Sequence, residues 1–312
     1  MKQIQTVYDH IHRNNLKTIV LVALFPILFI SLIFLFTWIV VPIDQALQTT
    51  AQVAIPTIIA CMAWMLISWA FGDTMMLNSA KAHEINADNP ENKEIFRAVE
   101  NVAIAAGLPC PKVYIIDDDS MNAFATGRSP KDASVALTKG IIKKLDRLEL
   151  EGVIAHEMAH IGNRDIRLDM LLITGVGVTV FAADMILRTA VYGGSFTNNE
   201  DNKNNSGAIL LMVWLAFMVF NILITPLLRM AISRNREYAA DATGAKITRN
   251  PKALASALRK ITTDSRVECL DKVKSMAAVC IAYPGGPREF ISSLMATHPP
   301  VEERIKRLES MA

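Results

Sequence analysis

Four long stretches with almost no charge decide what this 312-residue chain can fold into. Residues 18–41 contain no Asp, Glu, Lys or Arg and a single proline, Pro26. That run exceeds the ~20 residues a helix needs to cross a bilayer, and no small-residue cleavage motif follows it. It therefore reads as a retained transmembrane helix. Residues 53–71 are also uncharged, and the connection between the two runs holds Asp44 and no Lys or Arg. The pair forms a hairpin, with Lys2, Arg13 and Lys17 before it and Lys81, Lys93 and Arg97 after it. Positive charge collects on the cytoplasmic side, so both flanks are expected there. A third run, residues 170–187, carries Asp184 with Gly175 and Gly177, and a fourth, residues 208–228, is uncharged. The Asn-rich loop between them has Glu200, Asp201 and one Lys203, which suits the far side of the membrane. The third run also reads as a buried helix of a soluble core.

Between and after the hairpins the chain is polar enough to fold in water. Residues 93–106 have helical periodicity, and residues 113–116 read as a strand after Pro111. Residues 123–126 and 134–137 can pair across Gly127-Arg128-Ser129-Pro130. A helix is expected from about Arg147 to Gly162, with Asp146 as its cap and Glu149 three residues on. Beyond residue 229 the pattern is mostly helical, broken at Pro284-Gly285-Gly286-Pro287, with Pro299-Pro300 opening a last helix. The expected segments are residues 1–72, the first transmembrane hairpin; 73–166, the first part of a catalytic domain; 167–230, the second hairpin; and 231–312, the second part.

The net charge is +2, too small for a nucleic-acid binder. The four cysteines are scattered, which argues for free thiols rather than a disulfide framework or a cysteine metal site.

Histidine is rare here, six in all, yet two of them fall in His156-Glu157-Met158-Ala159-His160. A chance match of this H-E-x-x-H pattern is expected on the order of 0.01 times in such a chain, so structural context decides its meaning. On a helix, positions four apart share a face, and two imidazoles there reach one Zn²⁺. Glu157 then lies where a general base must be, beside the water that the metal activates. A catalytic zinc usually takes a third protein ligand. Glu237 and Asp241, again four apart, offer a carboxylate for the metal and a second one for the far ring N–H of a ligand histidine. Spacing alone leaves open a solvated acidic face.

In order and combination, His156-Glu157-Met158-Ala159-His160, then Arg236-Glu237-Tyr238-Ala239-Ala240-Asp241, then His298-Pro299-Pro300 resemble the HtpX family of membrane metalloproteases, relatives of the CAAX prenyl-protein proteases. The resemblance extends over nearly the whole chain. It implies a mainly α membrane protein: a gluzincin-type α+β zinc metallopeptidase domain with a small sheet, plus transmembrane hairpins. It implies one Zn²⁺ per subunit held by His156, His160 and Glu237, with Glu157 as base and Asp241 supporting a ligand. It implies His298 near the zinc as an oxyanion stabiliser, where a helix-capping surface histidine is the alternative. It implies that Asn122, Ala123, Phe124 and Ala125 belong to an edge strand that holds substrate. Arg304 falls in the same His-Pro-Pro stretch, and a solvated helix charge is as good a reading of it. The activity implied is endoproteolysis of damaged or misfolded membrane proteins in the bacterial inner membrane, with the site facing the cytoplasm, and self-cleavage. Membrane proteins and other polypeptides would be substrates, the bilayer a partner, and nucleic acid none. A metal-binding transporter or scaffold is the competing class, supported by Asp184 within an apolar run, but it has no need of Glu157 beside a ligand.

Overall fold

A computed structural model describes residues 43–171, 234–263 and 299–312, with isolated positions between them. The chain divides into two compact units. One holds residues 1–16, 71–173 and 229–312; the other holds residues 17–70 and 174–228.

In the second unit the described structure is the greater part of helix α1, Ile43–Ser79. It contains the uncharged run of residues 53–71. Ile55, Ile59, Met62 and Leu66 follow one another at helical spacing and are 58–68% exposed. Among the described residues no helix is long and apolar enough to cross a membrane. The first and fourth runs, and most of the third, lie outside the described residues, as does the loop 284–287.

The first unit is built on a four-stranded sheet. Strands β1 (Ala82–Ile85), β2 (Lys112–Ile116), β3 (Ala123–Thr126) and β4 (Ser134–Thr138) lie in the order β1-β2-β4-β3. The hairpin expected from the turn forms: Thr126 faces Ser134 and Ala123 faces Leu137 in antiparallel register. β2 runs parallel to β4, and β1 adds to β2 antiparallel. β1 was not expected; its Ala-His-Glu-Ile sequence carries no alternation a strand reading could use. On one face Ile116, Phe124 and Ala136 of the sheet cluster with Met76 and Leu77 of the last turns of α1, Ala80 just after it, and Met170.

The other face carries the main core. Helix α2 (Lys93–Ala106), short α3 (Lys139–Lys144) and α4 (Arg147–Gly162) follow the strands, and α5 (Arg234–Thr248), α6 (Pro251–Thr263) and α7 (Val301–Glu309) complete the unit. Helix α4 is buried along residues 149–161 apart from Glu151, so it lacks the one-sided pattern of a surface helix. Its neighbours touch it where it has no side chain. A Cβ on Gly152 would meet Leu254 of α6 at 3.2 Å, and a Cβ on Gly244 of α5 would meet the His156 nitrogen at 3.0 Å.

The N-terminus of α4 is set by the cap read from sequence. The Glu149 backbone N–H donates to Asp146 Oδ1 and the Asp146 N–H to Glu149 Oε2, both at 2.9 Å. Glu149 is buried and also accepts from Ser256 Oγ and Lys260 Nζ of α6, each at 2.7 Å. Burial alone would raise this carboxyl, but Lys260, Ser256 and the Asp146 backbone hold it below the usual range. A depressed carboxylate stabilises the fold above its unfolded pKa, near 4.5, and loses that contribution as pH falls through the folded value. Glu149→Gln should cost about 1–3 kcal/mol at neutral pH, read from the chemical unfolding midpoint in detergent. The difference from the parent should shrink as pH falls below about 4.

Candidate active site

The pattern residues stand on one turn of α4 because 3.6 residues per turn bring His156 and His160 to one side. Their rings meet edge to face, 4.7 Å apart, with the two Nε2 atoms 3.2 Å apart. Glu237, in the first turn of α5, completes the group: Oε1 is 3.6 Å from His160 Nε2 and Oε2 is 3.7 Å from His156 Nε2. One ligand atom from each of the three residues lies within 4.8 Å of the others, and all three residues are buried.

This donor set fits a four-coordinate metal. A bond length of ~2.0–2.1 Å puts the corners of a tetrahedron ~3.3 Å apart; the two Nε2 atoms are 3.2 Å apart, and each has a different oxygen of the Glu237 carboxylate at 3.6 or 3.7 Å. Each histidine also presents its Nδ1 to a carboxylate. His160 Nδ1 is hydrogen-bonded to Asp165 Oδ2 at 2.9 Å. His156 Nδ1 lies 2.9 Å from Asp241 Oδ1, with the carboxylate off the ring N–H direction, an electrostatic contact rather than a hydrogen bond. The carboxylates favour a proton at each Nδ1, a tautomer that leaves both Nε2 atoms, 3.2 Å apart, to share a cation. Charge agrees: five buried carboxylates (Glu157, Glu237, Asp241, Asp165, Asp169) face two buried guanidiniums (Arg236, Arg304). Such an acidic surplus in a dry site needs positive charge.

Glu157 is 2% exposed and sits beside β3, where the Ala125 backbone N–H donates to its carboxylate. Without a metal, burial pushes Glu157 up to about 7; Glu237 adds to the rise, while His160, Arg304 and Ala125 pull against it. For His160 burial works against the charged ring, but Asp165, Glu237 and Glu157 outweigh it and raise the ring to about 9. Metal binding at this histidine therefore displaces a proton.

Arg304 is where the structure decides between two readings that the sequence leaves open. It is not a solvated helix charge; it is 0% exposed. Its Nε and Nη2 donate to Asp241 Oδ2 and Oδ1 at 2.8 and 2.7 Å, a two-pronged pairing whose geometry only arginine supplies. Nη2 also lies 3.4 Å from His156 Nε2, and Nη1 lies 3.6 Å from Glu237 Oε2. Burial alone would raise the Asp241 carboxyl, but Arg304, with His156, brings it down to about 2. Helix α7 is pinned for this task by Arg307 stacked on the Tyr238 ring, 3.6 Å from its centroid, and by an Arg259–Glu309 hydrogen bond. The position of Arg304 four residues beyond the Pro300 cap was a usable signal; nothing in its own neighbours marked it as buried.

In the segment Asn122–Ala125, residues 123–125 belong to β3, an outer strand of the sheet, and the Ala125 backbone faces Glu157. Its residues are only 1–2% exposed, so the outer edge is covered in this conformation. His298 lies outside the described residues; the adjoining Pro299 is buried. Asp165 and Asp169 were not singled out from sequence, and Arg236 entered there only as part of a quoted motif. Among the described cysteines Cys110 is a free, exposed thiol.

The pattern of Peptidase family M48 matches residues 89–312. A "Protease HtpX homolog" from Bacteroides fragilis is 39% identical, covering 95% of this chain and 96% of its own length. Proteins of the same name from Caldanaerobacter subterraneus and Lactobacillus helveticus are 38% and 37% identical, with 97–99% of each chain covered. The crystal structure of S. mikatae Ste24p is similar at a TM-score of 0.44 and 17% identity, covering 81% of this chain and 57% of that one, so the chain spans little more than half of that protein. On the family pattern and the full-length relatives, the chain belongs to peptidase family M48, with the HtpX proteases, and is a metalloprotease.

Proposed function

We propose that the chain is a membrane-bound zinc endopeptidase acting on damaged or misfolded membrane proteins. The observation that carries the reading is the convergence of His156, His160 and Glu237 with Glu157 buried beside them. Bound zinc would supply Lewis acidity, activating water and polarising the peptide carbonyl. Glu157 takes the proton from the attacking water and delivers it to the leaving amine. Asp241 supports His156, and Arg304 keeps Asp241 ionised. His298 is assigned the developing oxyanion, on the strength of its place before Pro299-Pro300. An extended substrate would pair with the outer edge of β3 through backbone hydrogen bonds, which suits loose sequence specificity. Since that edge is covered, substrate entry requires the site to open. Cutting of one copy by another would follow from the same specificity.

The membrane placement is supported by the uncharged runs and by the exposed apolar side chains of α1, a surface that lipid would cover. The positive flanks of the first hairpin support a cytoplasmic site in the bacterial inner membrane.

Glu157→Gln should lower proteolysis by at least about 100-fold and stop self-cleavage while zinc content stays at one per chain; near-normal cleavage in that variant would exclude the mechanism. Chelation should inactivate the parent, and Glu237→Ala should come through purification with less zinc by elemental analysis. Full occupancy in Glu237→Ala would mean another third ligand. For topology, single cysteines introduced into a cysteine-free variant should react with an impermeant thiol reagent from the cytoplasm at Ser129 and from the opposite side at Asn199. Cytoplasmic labelling at Asn199 would exclude a spanning second hairpin.

A further inference from the structure

A chain of buried charge runs outward from His160 that the catalytic reading does not use. His160 Nδ1 and Asp165 Oδ2 are 2.9 Å apart. Asp165 Oδ1 lies 3.7 Å from Arg236 Nε, and Arg236 Nη2 donates to both oxygens of Asp169, at 2.8 and 2.9 Å. Asp165, Asp169 and Arg236 are 1%, 7% and 6% exposed. No surface ion pair has this character: buried charges persist only where each is held by another.

The approach of Asp165 to His160 is not a helical one. In an uninterrupted helix, a residue five positions on points about 140° away. Here α4 stops at Gly162, and Arg164 takes a left-handed backbone conformation, φ 59, which a non-glycine residue adopts at some cost. Residues 165–171 then resume as a helix, and the reversal turns Asp165 back beneath the ring. On the other side Arg236 immediately precedes Glu237. One guanidinium thus ties the residue that holds His160 to the backbone that carries Glu237.

We propose that Asp165 is a positioning residue for the metal site and that Arg236, clamped by Asp169, holds Asp165 in place. The proposal rests on His160 and Glu237 being metal ligands. Asp165 keeps the proton on Nδ1 and the His160 ring in the plane that aims Nε2 at the metal. The Arg236–Asp169 clamp fixes the position of the Asp165 carboxylate, which is out of water. Asp169 stands just before the third apolar run, and Arg236 follows the fourth by eight positions. The geometry of the metal site is therefore set by the two stretches of chain that flank the second hairpin in sequence. A displacement of either would reach the ligands through this pairing.

The test uses the full-length protein in detergent. Zinc affinity is measured by competition with a chromophoric chelator, and ligand geometry by the visible spectrum of the cobalt-substituted protein. Asp165→Asn keeps the shape and removes the charge. It should weaken zinc about 10- to 100-fold and change the cobalt bands. Arg236→Lys, which keeps the charge and loses the clamp, should fall between that variant and the parent. Zinc affinity within about twofold of the parent, with unchanged cobalt bands, in Asp165→Asn would overturn the proposal. If Asp165→Asn does not fold, the zinc-loaded parent still decides. The Nδ1 proton of His160, assigned by the loss of its signal in His160→Gln, should resonate well downfield, as a proton hydrogen-bonded to a carboxylate does. A resonance at the ordinary imidazole N–H position would overturn it. Full zinc binding by His160→Gln would instead be a failure of the ligand assignment itself.

Discussion

The approach of α5 to α4 is the contact on which the site depends. With a Cβ on Gly244, the side chain would stand 3.0 Å from the His156 nitrogen and 3.2 Å from the Ala155 carbonyl carbon, so the two helix backbones lie against each other. Glu237 is seven residues before Gly244, two helical turns along the same face. That is why its carboxylate reaches the side of α4 that carries both histidines. The donor atoms leave little room: their 3.2–3.7 Å separations match one ion and no more. A larger residue at 244 would have to push the helices apart by a few tenths of an ångström or more, as much as the tolerance of a metal bond.

The same closeness creates an electrostatic problem that the fold answers locally. Carboxylates out of water are costly unless paired, and here each of those beyond the ligand and the base has an arginine on it. Arg304 takes Asp241 and Arg236 takes Asp165 and Asp169, from helices at opposite ends of the second part of the catalytic sequence. Glu157 keeps the Ala125 backbone N–H as a hydrogen-bond donor. Its raised pKa follows chiefly from burial, with Glu237 adding to it, and suits a group that must take up a proton and release it again.

Much of this was legible in the residues. The cap of α4, the extent of α2 and the pairing of β3 with β4 follow from short-range rules, since capping, helical spacing and a two-stranded turn involve residues a few positions apart. β1 was missed because its side chains, mostly exposed, carry no alternation. Asp165 was missed because its partner lies at i−5, a spacing no regular helix brings together. Arg304 stays open between a site residue and a solvated charge in the sequence, because burial of a terminal helix depends on what packs over it, here Asp241 more than sixty residues earlier.

The sequence by itself determined that two histidines and a glutamate share one helix turn, that a second helix offers a carboxylate, and that long uncharged runs stand between them. These are consequences of a fixed helical period and of composition, and they hold whatever the surroundings. Only the tertiary structure decided which carboxylate points at the gap between the rings, which ones stand behind them, and that the edge of β3 lies covered beside Glu157. Those outcomes depend on how closely backbones pack and on which charges end up out of water. Both are settled by contacts between residues far apart in the chain, where local spacing carries no information.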